Sequence, residues 1–119
     1  MATRTLADLV KERYGVNTFS RDNPVVAAVG VTAIPIARQN PNRIWLTIVN
    51  LSANVLYVGP FADVAATKGI YLGANGGSLT INYLDDMELP GREWSAIATG
   101  AASAILVVEQ LTQRDPSSV

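Results

Sequence analysis

The run Arg43–Asn50, Arg-Ile-Trp-Leu-Thr-Ile-Val-Asn, turned back through Leu51-Ser52-Ala53 into Asn54–Gly59, constrains the chain more than any other stretch. Successive strand side chains point to opposite faces, so Ile44, Leu46 and Ile48 share one side and Trp45, Thr47 and Val49 the other. Both sides are largely apolar. A strand on a sheet rim rarely carries that pattern. The segment is therefore expected inside a sheet, with a second sheet on one face and a partner surface or covering segment on the other. Asn50 and Asn54 bracket the reversal with short amides that bond local backbone, and the expected product is an antiparallel hairpin with a short loop.

The rest of the chain supports a body built from such strands. With 119 residues, 49% hydrophobic and 16% charged, there is apolar material for one packed domain. Ala, Val, Ile and Leu supply most of it, which leaves little charged surface. Cysteine is absent, so neither disulfides nor thiolate chemistry contribute. The opening Met1-Ala2-Thr3-Arg4-Thr5 has no apolar run of signal-peptide length, and no stretch approaches the roughly 20 apolar residues of a membrane span. These features lead to the expectation of a soluble protein made in the cytoplasm. Charge is unevenly spread: residues 1–43 hold six cations and three anions, and residues 44–119 hold three cations and seven anions. A cationic leading segment before an acidic body suits docking on an acidic partner or on a neighbouring copy; scattered solvated arginines are the plainer reading.

Thr5 to Tyr14 carries Leu6, Leu9, Val10 and Tyr14 at helical spacing, with Thr5 as N-cap, Asp8 three residues on and Gly15 as the stop. A helix of about ten residues is marginal alone in water and needs a surface to lie against. Asn17–Asn23 shows no clear period and reads as an extended connecting arm, so the compact domain is expected to begin near Pro24. Strand material follows at 25–29, at 31–36 with Pro35 marking an edge or break, at 69–72, at 78–83 with Leu79, Ile81 and Tyr83 inward, at 93–98 and at 103–109. Turn residues separate these runs about every ten positions. The fold expected is all-β: one antiparallel β-sandwich, jelly-roll or immunoglobulin-like in connectivity, preceded by a short helix and arm. The divisions are 1–24 for helix and arm, 25–111 for the sandwich and 112–119 for a flexible tail.

Reactive chemistry is scarce in the residues themselves. Histidine is absent, which removes the commonest general base and the imidazole ligands of most zinc and iron sites. Asp85, Asp86 and Glu88 form an acidic cluster with oxygen donors suited to calcium, but no EF-hand spacing surrounds them and a solvated turn explains them as well. A glycosidase pair drawn from Asp63, Asp85, Glu88 and Glu93 has no more specific support. Gly69, Gly73, Gly76 and Gly77 lack the Lys-Ser/Thr and the helix N-terminus of a phosphate cradle and read as turn glycines. Asn50-Leu51-Ser52 matches a glycosylation sequon and is read as the turn itself. Trp45, Tyr57, Tyr71, Tyr83 and Trp94 form a stacking platform only if exposed together. Core packing or a subunit interface is the favoured reading for the two tryptophans. Basic residues are not interleaved with these aromatics, so nucleic acid is not an expected partner.

The succession Arg-Ile-Trp-Leu-Thr-Ile-Val-Asn-Leu-Ser at 43–52, Val-Leu-Tyr-Val-Gly at 55–59, Lys-Gly-Ile-Tyr-Leu at 68–72, Gly-Gly-Ser-Leu at 76–79, Trp-Ser-Ala-Ile-Ala at 94–98 and Ala-Ile-Leu-Val-Val-Glu at 104–109 resembles small β-sandwich structural proteins of tailed bacteriophages, such as head decoration or cement proteins. The likeness covers somewhat over half the chain and excludes the first 24 residues. It implies a non-enzymatic module without cofactor or metal, often a homotrimer, bound to the major capsid protein on the virion surface. Neither nucleic acid nor membrane is expected as a partner. The candidate partner-binding residues are Leu6, Leu9, Val10, Arg13 and Tyr14 on the helix and Trp45 on the central strand. The alternative is a carbohydrate- or receptor-binding module of a phage tail or fibre, stacking sugars on Trp45, Tyr57, Tyr71 or Trp94.

Overall fold

In the computed structural model, which describes residues 5–23 and 28–114, the alternating runs become strands and the glycine- and asparagine-rich runs become turns. Helix α1 (Leu6–Tyr14) precedes β1 (Val16–Asn23), β2 (Ile34–Ala37), β3 (Arg43–Asn50), β4 (Leu56–Gly59), β5 (Ile70–Leu72) and β6 (Ser78–Asn82). A four-residue helix α2 (Tyr83–Asp86) and a short 3-10 turn at Leu89–Gly91 lead into β7 (Trp94–Ala98) and β8 (Ile105–Arg114). First strand pairs with last, second with seventh, third with sixth and fourth with fifth, all antiparallel. This is one long hairpin folded over on itself. Two further pairings, β3 with β8 and β4 with β7, roll it into sheets of order β1-β8-β3-β6 and β2-β7-β4-β5. The winding is that of a jelly-roll, which decides between the two connectivities open to the sequence.

The core lies between the sheets. Leu46, Ile48, Ile81, Ile105 and Val107 come from the first sheet; Leu56, Val58, Leu72, Trp94, Ala96 and Ala98 come from the second. Trp94 is enclosed and donates its indole N–H to the carbonyl of Leu89 at 2.9 Å, so its one polar atom is satisfied on burial. As expected from Pro35, β2 is an edge strand with an irregularity between Pro35 and Ala37. Gly77 is required by close approach: a Cβ there lies 2.4 Å from the backbone of Gly73.

Several expectations are corrected. β3 and β4 do not form a hairpin; the turn at 51–55 carries the chain from one sheet to the other, and Leu56 and Val58 face Leu46 and Ile48 across the core. Alternation reports which face is buried, not which strand is the neighbour. The segment read as an extended connecting arm is β1, paired along all eight residues with β8, and β8 itself runs on to Arg114. Of the 25–29 run, residues 25–27 lie outside the described residues, and Val29 makes an isolated bridge with Ser103. Residues 115–119 of the expected tail also lie outside them.

Both ends of β3 are fixed by buried polar side chains. A bulge between Arg43 and Trp45 makes Ile44 the extra residue and turns Arg43 inward in its place. Its guanidinium meets Oε1 of Glu109 at 2.7 Å through both Nε and Nη2, and donates further to the carbonyls of Arg38 at 2.8 Å, Pro90 at 3.1 Å and Arg92 at 3.2 Å. Arg43 therefore belongs to the interior, not to a cationic leading surface. At the other end Asn50, fully buried, donates to the carbonyls of Asn54, Leu72 and Gly73 and accepts from the amide and hydroxyl of Ser52. With that amide enclosed, the sequon is structural, in agreement with its reading as a turn.

Glu109→Gln is expected to destabilise the fold by about 3 kcal/mol or more in urea unfolding, because it strands a buried cation. The pair Arg43→Met with Glu109→Leu should cost less than the sum of the single changes; strict additivity contradicts the coupling. Asn50→Ala should cost about 2 kcal/mol through the carbonyls it leaves unsatisfied, and a loss below about 0.5 kcal/mol contradicts its role.

Candidate functional site

Apolar side chains left outside the core gather where β3 begins and β6 ends. Among the described residues, Tyr14, Trp45, Tyr83, Leu84 and Met87 make up half of the ten exposed large hydrophobics. Local sequence explains how each arrives there. Thr5 and Asp8 form a reciprocal capping box that starts α1, and Gly15, at φ 71°, ends it and turns the chain directly into β1. Asn82 plays the same part for α2: its side chain accepts from the amide of Asp85 at 3.0 Å, and Asp86 accepts from the amide of Asn82 at 3.1 Å. This cap stops β6 and lifts Tyr83, expected inward, onto α2 and toward solvent.

Tyr14 and Tyr83 meet edge to face, with ring centroids 6.5 Å apart and planes at 87°. Arg13 stands over the Tyr14 ring at 5.8 Å. Hydrogen bonding of the protonated Tyr83 phenol to the Tyr14 side chain, with a smaller effect of desolvation, holds Tyr83 above its ordinary value. The last turn of α1 thus rests on α2. Trp45 lies across from Asn82 in the β3–β6 ladder. Its indole N–H donates to Thr47 Oγ1 at 2.9 Å, and Thr47 in turn bonds Thr80 at 3.0 Å, so the ring offers its hydrocarbon faces outward. Val49, Leu106 and Val108 continue the outer face of this sheet and are half-buried. That face is apolar, as the alternation of β3 requires.

Met87 is the most exposed of the group, at 79%, and adopts φ 57° and ψ −116°. A side chain other than hydrogen is strained in that region by about 1–3 kcal/mol. Beside it runs a groove of about 360 Å³ lined by Gln39, Pro41, Ile44, Tyr83, Met87 and Glu88, among others.

Of the residues expected to bind a partner, Tyr14 and Trp45 stand in this region, and Leu9 and Arg13 are exposed on α1. The side chains of Leu6 and Val10 lie outside the described residues. Leu84 and Met87 were missed, and Tyr83 was named only as a stacking aromatic and expected inward, because a four-residue helix and its C-cap are too short to show a period. The Asn82-x-x-Asp85 spacing was its one visible signal.

The other candidate chemistries separate in space. Asp85 and Asp86 are engaged in capping α2, and no group of three or more His, Cys, Asp or Glu among the described residues is placed to hold a metal ion. Asp63, on the far loop between β4 and β5, pairs with Lys68 at 2.6 Å, which holds its carboxyl below the usual value. Trp94 is in the core, Trp45 is on the first sheet, and Tyr57 and Tyr71 pack edge to face on the second, so the four make no common platform. Among the described residues, no helix is long and apolar enough to cross a membrane.

In an ultraviolet titration of the phenols, Tyr83 is expected to ionise above the ordinary tyrosine range, and Tyr14→Phe should return it toward that range. An unchanged titration contradicts the seating of α1 on α2. Among known proteins, no family model matches the chain, and no curated protein shows significant similarity to it.

Proposed function

We propose that the protein is a non-enzymatic virion structural protein, a decoration or cement module that binds the major capsid protein of a tailed bacteriophage head as a homotrimer. The observation that carries this reading is the exposed aromatic and aliphatic band at the α1–α2 end of a rigid jelly-roll, together with the apolar outer face of its first sheet. Such a surface is suited to being covered by protein. The sandwich supplies rigidity, since its buried polar groups are spent on holding β3, β8 and the loops in place. The resemblance of residues 43–111 to phage structural proteins supplies the kind of partner.

On this reading a small block gains affinity by repetition. Many weak, symmetry-related contacts on a lattice add through avidity, so no single contact need be tight. Leu9, Arg13 and Tyr14 on α1 and Trp45 on β3 are exposed, which supports their taking part. Leu6 and Val10 join them by sequence spacing.

The purified protein is expected to sediment with emptied capsids of the phage that carries its gene, and Trp45→Ala should weaken that binding by about tenfold. Removal of residues 1–14 should reduce shell binding while leaving cooperative unfolding intact, because the cut spares β1 and its ladder with β8. A protein that is monomeric by light scattering and leaves the capsids unbound contradicts the reading.

A further inference from the structure

We propose that Asn75–Gly76 is a self-modification site: the Asn75 side-chain amide closes on the Gly76 nitrogen as a succinimide that opens to aspartate or isoaspartate, and hydrogen bonding to Asn50 holds it unreacted while the turn is shut. The site is independent of the capsid reading.

Sequence selects the residue. Of the eight asparagines, Asn23 and Asn40 precede proline, whose nitrogen has no proton to release, and five others precede residues whose side chains crowd that nitrogen. Asn75 alone precedes glycine, where no Cβ obstructs the approach and the backbone turns freely. Position adds to this. Asn75 and Gly76 are exposed at the tip of the turn between β5 and β6, open to the water that the reaction consumes. The Asn75 side-chain amide makes no hydrogen bond to a described residue, so nothing holds it away from its neighbour.

What restrains the reaction is the backbone beneath the turn. Gly76 donates its N–H to the Asn50 carbonyl at 2.7 Å, and Asn75 donates its own to the Ser52 carbonyl at 2.8 Å. Attack requires the Gly76 nitrogen to lose its proton and swing onto Cγ of Asn75. A carbonyl oxygen at hydrogen-bond distance disfavours the anion and fixes the nitrogen in place. The buried Asn50 side chain secures the same turn through the Leu72 and Gly73 carbonyls. When the turn opens, the Gly76 nitrogen gives its proton to solvent hydroxide and bonds to Cγ. The Cγ–Nδ2 bond breaks, and the departing nitrogen takes a proton from water to leave as ammonia. Water then cleaves the ring. Cleavage at Cγ gives aspartate, which tolerates the φ of 58° held here. Cleavage at the main-chain carbonyl gives isoaspartate, whose added backbone methylene puts the bond from Gly76 to Asn50 out of register. Opening of this end of the sandwich is thereby made irreversible.

The test is incubation of the full chain in mildly alkaline buffer, with conversion at each asparagine read by peptide mass and isoaspartate by enzymatic methylation. In unfolding urea the chain should convert fastest at Asn75. Folded, the native protein should convert there about a hundredfold more slowly or less. Asn50→Ala should raise the folded rate about thirtyfold, and Ser52→Ala, which removes only one hydroxyl donor from the Asn50 amide, should raise it by a smaller factor. Asn75→Gly, which suits the same φ, should abolish conversion at this position and keep the native Tm. Protein bearing isoaspartate should melt below Asn75→Asp. Each of four results overturns the proposal: folded native protein that converts as fast as in urea, conversion in urea that falls mainly on another asparagine, Asn50 and Ser52 variants that convert no faster than native protein, or isoaspartate-bearing protein that melts as Asn75→Asp does.

Discussion

A guanidinium cannot be taken out of water unless each of its donors is met, and the fold depends on how that demand is answered at Arg43. The cation sits almost wholly inside the protein with its charge met by Glu109 and its remaining donors directed at three backbone carbonyls. These partners come from separate parts of the chain: β8, the loop after β2, and the loop before β7. One side chain therefore fixes the bulge at the start of β3, the approach of the two loops and the place where the chain leaves α2. At the far end Asn50 does the same with neutral groups, gathering the 51–55 turn and the 72–77 turn onto the strand. Between the two lies an ordinary apolar core, which drives collapse but leaves register to the polar ends.

The exposed band follows from this arrangement. Because the loop from Met87 to Arg92 is held through Pro90 and Arg92 to the buried cation, α2 cannot swing its apolar side chains back onto the sandwich. The Asn82 cap ends β6 before Tyr83, and the Tyr14 ring rests on Tyr83 instead of entering the core. The end of the molecule that bears α1 thus combines a rigid backing with uncovered hydrocarbon. That combination suits recognition by surface contact, and it gives the reading as an adhesive structural module its physical basis.

Much of the sandwich was legible because its strands alternate. Leu46 and Ile48, Ile81, Trp94 with Ala96, and Ile105 with Val107 are inward as their spacing requires. Partner choice was not legible: β3 and β4 alternate just as a hairpin would, and only the enclosed Asn50 amide distinguishes a turn that crosses between sheets. β1 escaped notice because Asn17–Asn23 holds a single large apolar residue, Phe19; its strand character comes from the ladder with β8 and not from its own composition. Arg43 looked like a surface charge because a bulge, invisible in the sequence, reverses the parity of β3 at its first residue. Trp45 and Tyr14 were named from the sequence as partner-binding candidates and are exposed in the structure, whereas the backbone that thrusts Met87 outward has no sequence signature.

The central claim is that a polar-pinned, rigid sandwich presents one adhesive end. Hydrogen–deuterium exchange of the protein dilute and assembled, followed segment by segment, tests it most directly. The account predicts that amides of β3 and β8 exchange slowest in both states, and that assembly adds protection at residues 5–15, around Trp45 and at 83–88. Added protection centred on the β4–β5 loop and Tyr71 instead, or a β3–β8 ladder that exchanges as fast as the loops, contradicts it.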